Sequence, residues 1–221
     1  MREPGRPAPN PHALILGGQK SGKSRRAEQL AQHWLGGGGQ RQALLLATAL
    51  PGDAEMQARI ARHQQDRAAR CPRLQVLEVP LGLAQAVRVH SAADTLLVVD
   101  CLTLWLTNWL MPLPALPALP ALPAQTPAQA FSGPQTPNLM PNSTLAKEYP
   151  AGIAMLLEAI EAAPGPVILV SNEIGLGVVP LGGEVRGFVD ALGLLNQQVA
   201  QVCSQVTLMA AGLPLALKGG A

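Results

Sequence analysis

Residues 14–31 read LILGGQKSGKSRRAEQLA. Within them, Gly17-Gly18-Gln19-Lys20-Ser21-Gly22-Lys23-Ser24 fits the pattern G-x-x-x-x-G-K-[ST]. Each part of the pattern has a physical reason. Glycines let the backbone fold into a nest whose N–H groups point at phosphate oxygens. The helix that begins there turns its positive end toward the same anion. Lys23 can reach the terminal phosphates, and the Ser24 hydroxyl can ligate Mg²⁺. A ligand-free Gly-rich turn can spell the same eight letters, so the flanks decide. An apolar run ends at Leu16, and an amphipathic pattern carrying Ala27, Leu30, Ala31 and Trp34 follows Ser24. Strand, cradle and helix in that order are what a phosphate site requires.

Outward from the cradle the same alternation continues. Strand-type runs fall at 13–16, 43–48, 74–79, 95–100, 166–171 and 205–210, with a short final one at 215–218. Helical patterns lie between them at 23–35, 54–70, 83–90, 151–162 and 186–203. That order predicts an α/β fold with a mostly parallel sheet flanked by crossover helices. The runs are apolar at successive positions, which predicts burial on both sheet faces. Two segments stand apart. Residues 1–12, MREPGRPAPNPH, read as a disordered tail, leaving 13–221 as a single nucleotide-binding domain. Residues 112–141 carry a PAL repeat and no charge. Proline at every third position there favours extended polyproline II, so the segment reads as a Pro-rich insertion in that domain. It is either idle low-complexity chain or a docking peptide.

Composition narrows the function. Sixteen Lys+Arg against fourteen Asp+Glu give a formal charge of +2, too balanced for a coat on nucleic acid or an anionic membrane. Only 3% of residues are aromatic, which disfavours a stacking platform for single strands. The three cysteines form no CxxC pair, as expected of reduced thiols in a cytoplasmic protein. The most apolar region, 96–124, is broken by Asp100, Asn108 and repeated prolines and does not read as a membrane span.

Three further places carry chemistry. LLVVD ends in Asp100, at the carboxyl end of an apolar strand. An acid there either supports Mg²⁺ beside the cradle or merely ends the strand with a local hydrogen bond. Residues 53–70, DAEMQARIARHQQDRAAR, place Arg59, His63 and Arg67 at i, i+4 and i+8, one helical face of guanidinium, imidazole and guanidinium. Such a face can hold phosphate oxygens around a nucleophilic histidine, or it can be a solvated basic helix. Finally, VILVSNEIGLGVVP at 167–180 runs from a strand into a loop bearing Asn172 and Glu173. Loops at the carboxyl ends of strands line the ligand crevice of open α/β sheets, which sets both residues near the cradle. The NKxD signature of switch GTPases is absent.

In order, GGQKSGKSRRAE, ATA at 47–49, EMQARIARHQQDR at 55–67, DCLTLWLTN at 100–108, SNEIGLGVVP, and R-x-F-x-D-x-x-G-x-x-N-Q occur along the chain. This set closely resembles the bifunctional adenosylcobinamide kinase / adenosylcobinamide-phosphate guanylyltransferase family of cobalamin biosynthesis. The resemblance covers about 13–110 and 150–218. It implies a RecA-like P-loop NTPase fold, often trimeric, and two reactions. A nucleoside triphosphate, ATP or GTP, phosphorylates adenosylcobinamide. GTP then guanylylates an enzyme histidine, and GMP passes to adenosylcobinamide phosphate to give adenosylcobinamide-GDP. By motif position the histidine is His63. The implied nucleotide site comprises Gly17, Gly18, Gln19, Lys20, Ser21, Gly22, Lys23 and Ser24. It continues through Ala47, Thr48, Ala49, Gln64, Gln65, Asp66, Arg67, Glu78 and Asp100, with Ser24 and Asp100 at Mg²⁺. Lys20 stands where the family usually has arginine, trading a planar fork for a point charge. Arg62 stands where some members carry a second histidine. The implied partners are the two cobinamide substrates and nucleoside triphosphates, with no nucleic acid, in a homotrimer. A kinase without the guanylyl step, or a regulatory P-loop protein docking through 112–141, are the rival readings.

Overall fold

The computed structural model describes residues 12–112 and 144–219. Residues 1–11 of the expected tail and all but the first residue of the Pro-rich insertion lie outside the described residues. His12, read as the last residue of that tail, is instead buried: its Nδ1 accepts from Val167 N at 3.2 Å and its carbonyl from Ser204 N at 3.0 Å, which ties it to the start of the sheet. Seven strands, β1 (Ala13–Gly17), β2 (Gln42–Ala47), β3 (Gln75–Glu78), β4 (Thr95–Asp100), β5 (Val167–Val170), β6 (Gln205–Ala210) and β7 (Leu213–Lys218), form one sheet. Their order is β3-β2-β4-β5-β1-β6-β7. The first six pair in parallel, and β7 returns antiparallel to β6. Six helices are described: α1 (Lys23–Gly36), α2 (Ala54–Arg70), α3 (Leu83–His90), α4 (Leu102–Leu110), α5 (Thr144–Glu161) and α6 (Gly183–Val202). None is long and apolar enough to cross a membrane.

The period-2 side-chain alternation explains why the central strands look uniformly apolar. In β4, Leu97 and Val99 pack with Trp105, Leu156 and Leu192 on the face covered by α3 to α6. Leu96 and Val98 pack with Ala27, Ala31 and Leu35 of α1 on the other. β1 and β5 divide in the same way, with Leu14 and Leu169 on the first face and Ile15 and Ile168 on the second. Burial on both faces therefore holds in the middle of the sheet. It fails at the rims, where β3 is largely exposed and every residue of β7 is.

Several boundaries depart from the sequence reading. α4, Leu102–Leu110, lies where the sequence pattern predicts no helix. α5 begins at Thr144, seven residues before 151, and carries Pro150 inside it. α6 begins at Gly183 rather than 186. β7 begins at Leu213, directly after a two-residue turn in which Ala211 (φ 50°) and Gly212 (φ 81°) are left-handed. Two successive positive φ values match the twist of the hairpin strands.

Candidate active site

The cradle hangs between the end of β1 and the start of α1. Gly17 has φ +151°, and a Cβ there would lie 2.5 Å from both the Met209 carbonyl oxygen and Ser21 Oγ. Only glycine fits where β1, β6 and the cradle meet. Gly22 sits at the N-cap of α1 with φ 99°, and Lys20 is itself left-handed at φ 58°. The nest is braced from both sides. Glu173 N donates to the Gly17 carbonyl (3.1 Å), and Gly212 N donates to the Ser21 carbonyl (3.1 Å). Thus the loop after β5 and the β6–β7 turn both lean on the cradle.

Lys23 folds back into this nest, its Nζ donating to the Gly18 carbonyl at 2.7 Å. The side chain is buried, and burial pushes its ammonium below the ordinary lysine range. Cys101 and the Asp100 carboxylate oppose that shift, while the Arg59 guanidinium adds to it. A buried cation held by one carbonyl favours an incoming anion. The Ser21 hydroxyl is buried in the same place with no partner among the described residues. Ser24 Oγ donates to Asp100 Oδ1 at 3.4 Å, bringing two hard oxygen donors together at the mouth. Mg²⁺ takes one or two protein oxygens and completes its octahedron with phosphate and water, so this pair fits it.

Asp100 arrives there because β4 pairs with β2 through Ala47 and with β5 through Val170. The adjoining 47–49 segment is fixed from beneath. Thr48 is fully buried; its hydroxyl donates to the Cys101 carbonyl (2.8 Å) and accepts from Cys101 N (2.9 Å). Asn108 of α4 donates to the Thr48 and Pro80 carbonyls (2.8 and 2.9 Å). Glu78 stands exposed at the end of β3, in register with Ala47. Ala47, Thr48, Ala49, Glu78 and Asp100 therefore share the carboxyl end of the sheet with Gly17 to Ser24.

α2 is different in kind. The Asp53 carboxylate caps it, accepting from Met56 N at 2.7 Å. Yet Arg67 is its only buried residue, and Met56 and Ile60 are only half-buried. Its carboxyl end is tied to α1 by Arg70, which reaches Glu28 and Asp66 at 3.0 Å each. Asp66 is thus engaged within the helix, and His63, Gln64 and Gln65 are exposed. The Arg70–Glu28 pair is what joins α2 to α1, the helix that begins at the cradle, and His63 follows Arg59 by one turn on the exposed part of α2.

A network that the sequence reading did not resolve supports the loop after β5. Thr103 Oγ1 accepts from Asn172 N (2.9 Å) and Nδ2 (3.1 Å), and Asn196 Nδ2 donates to the Asn172 carbonyl (3.0 Å). The motifs around 103, 172 and 196 signalled it, but their partnership is a tertiary fact.

A mostly parallel sheet carrying a glycine cradle, a buried lysine and a Ser–Asp oxygen pair at its carboxyl end defines a P-loop nucleotide-binding protein. The family model described as cobinamide kinase / cobinamide phosphate guanyltransferase (CobU) matches residues 13–217, and the chain belongs to that family. It is 43% identical over 206 residues to the bifunctional adenosylcobalamin biosynthesis protein CobP of Pseudomonas aeruginosa, covering 93% of this chain and 96% of that one. It is 29% identical over 205 residues to the protein of the same description, CobU, from Escherichia coli, and 30% identical to that of Salmonella typhimurium. Each of these covers 93% of this chain and 98% of the relative. The chain is accordingly a bifunctional transferase of cobalamin biosynthesis, with kinase and guanylyltransferase activities.

Proposed function

We propose that one nucleotide-binding domain over residues 13–221 runs both reactions around a single cradle, with His63 as the residue that carries GMP. In the kinase reaction, Gly17 to Ser24 hold the triphosphate of ATP or GTP. Lys23 leaves the Gly18 carbonyl for the terminal phosphates, and Ser24 and Asp100 would hold Mg²⁺. When bound, the metal neutralises phosphate charge. The acceptor is the aminopropanol hydroxyl of adenosylcobinamide. Its oxygen bonds to the γ-phosphorus as the bond to the β–γ bridging oxygen breaks, the nucleoside diphosphate leaves and the hydroxyl proton passes to solvent.

In the second reaction an imidazole nitrogen of His63 bonds to the α-phosphorus of GTP and pyrophosphate leaves. The phosphate oxygen of adenosylcobinamide phosphate then displaces the imidazole, which restores His63 and yields adenosylcobinamide-GDP. A covalent histidine splits a difficult transfer into two displacements. Arg59 and Arg67 flank His63 and stabilise the charge that builds at the α-phosphate. Ala47 to Ala49, Gln64 to Arg67 and Glu78 complete the nucleotide site. One observation supports this reading most: the Arg70–Glu28 ion pair at 3.0 Å ties α2, the helix bearing His63, to α1, the helix that begins at the cradle. The enzyme works in the cytoplasm as a homotrimer, a state consistent with the exposed apolar residues of β7.

The test uses GTP labelled at the α-phosphate, with Mg²⁺, on the wild type and on His63→Ala. The wild type takes up acid-labile label. His63→Ala takes up none and still phosphorylates adenosylcobinamide. A wild type that phosphorylates the acceptor without ever becoming labelled would reduce the enzyme to a kinase and remove the role given to His63.

A further inference from the structure

A bifunctional cobinamide enzyme needs a surface for the corrin ring as well as for the nucleotide. Accordingly, we infer that the groove between the 174–180 loop and the outer face of α6 is the acceptor subsite, taking the corrin macrocycle of the cobinamide substrate. This inference rests on the reading of the cradle given above.

Four observations point the same way. The groove starts beside the cradle, because its first lining residue, Ile174, directly follows Glu173, whose N–H donates to the Gly17 carbonyl. An acceptor seated there is continuous with the phosphates it must attack. Its wall is apolar and open: Val178 is 96% and Val179 73% exposed, and Ile174 stands beside them. A large flat ring buries such side chains, whereas a nucleotide phosphate gains nothing from them. The floor is polar at intervals, with Asp190 and Gln197 spaced along α6. They match the carboxamide arms around a corrin rim, a carboxylate to accept their N–H groups and an amide to do both. Finally, the loop is held in shape without substrate. Arg186 donates to the Pro180 and Leu181 carbonyls at 2.9 and 2.6 Å, and the Thr103–Asn172–Asn196 network fixes its root. The apolar side chains are therefore presented on an ordered wall that needs little rearrangement to receive a rigid ligand.

The experiment compares the wild type with the double variant Val178→Ser/Val179→Ser, and with Asp190→Ala and Asp190→Asn. Both valines are exposed, and melting curves check that each variant folds. In the double variant, KM for adenosylcobinamide in the kinase assay rises at least tenfold, while self-guanylylation by α-labelled GTP and the sedimentation mass stay at wild-type values. Asp190→Ala raises the same KM several-fold, and Asp190→Asn, which keeps an acceptor oxygen, recovers most of the loss. Unchanged KM in the double variant overturns the subsite. So does a change confined to nucleotide affinity, or a change of mass without a change of KM, which would make the groove a nucleotide contact or a contact between subunits. A wild type that neither phosphorylates adenosylcobinamide nor takes label would instead sink the reading of the cradle itself.

Discussion

Gly17 and Gly18 are adjacent letters of one motif with unequal structural duties. At Gly17 an added methyl meets a main-chain oxygen and a cradle hydroxyl at 2.5 Å, and the backbone is left-handed. At Gly18 it meets nothing within 4 Å. Gly17→Ala should therefore cost about 2–3 kcal/mol, roughly 5–10 °C in melting temperature, and should lose nucleotide binding as the nest opens. Gly18→Ala should melt within about 1–2 °C of the wild type, the size of an ordinary surface change. Differential scanning calorimetry decides it. Equal melting of the two variants would show that Gly17 is not pinned between β6 and Ser21. The motif was legible in the sequence because its chemistry is local: eight consecutive residues supply nest, cation and hydroxyl. The roles within it were not, because Met209, which makes Gly17 irreplaceable, lies 192 positions away along the chain.

At the scale of elements, α4 is the instructive miss. A helix is legible in sequence as an apolar stripe against a wet face, and LTLWLTNWL has no wet face: only Leu104 and Thr107 escape full burial. A helix buried all round gives no period to find. α2 misleads in the opposite sense, being regular and well capped but nearly uncovered, with Arg67 its only buried residue. α4 is also the element that holds the 47–49 segment in place, through Asn108. Asn108→Ala strands the buried Thr48 carbonyl and the Pro80 carbonyl without their donor. The expected cost is about 2–4 kcal/mol in urea unfolding, together with weaker nucleotide binding as the segment loosens. Asn108→Asp, which brings a carboxylate toward two carbonyl oxygens, should be worse than alanine. An aspartate variant as stable as the wild type would mean that the two bonds contribute little.

For the whole molecule, the large apolar residues left exposed among the described ones fall largely in two places. One is the 174–185 region beside α6. The other is β7, where Leu213, Leu215 and Leu217 are 70%, 56% and 56% exposed along one side of a strand at the rim of the sheet. Nothing in the letters of 213–218 marks the strand as exposed, because a short apolar run reads as an interior strand. An uncovered rim of this kind is a site of association. Pro214 lacks an N–H, so strand addition along the free edge is weakened, and side-chain packing is the better route. On the proposed homotrimer, β7 is the candidate contact between copies of the chain and the 174–180 groove the proposed acceptor site, and the two proposals predict opposite outcomes. If β7 joins the proposed trimer, Leu215→Asp would bury a carboxylate in that contact, and the sedimentation mass should fall to that of one copy, with KM for adenosylcobinamide staying within about twofold. Variants at Val178 and Val179 should leave the mass at three copies and raise that KM. If Leu215→Asp remains trimeric, another surface joins the subunits. Should it become monomeric and lose acceptor binding as well, the acceptor site would lie across the interface rather than within one chain.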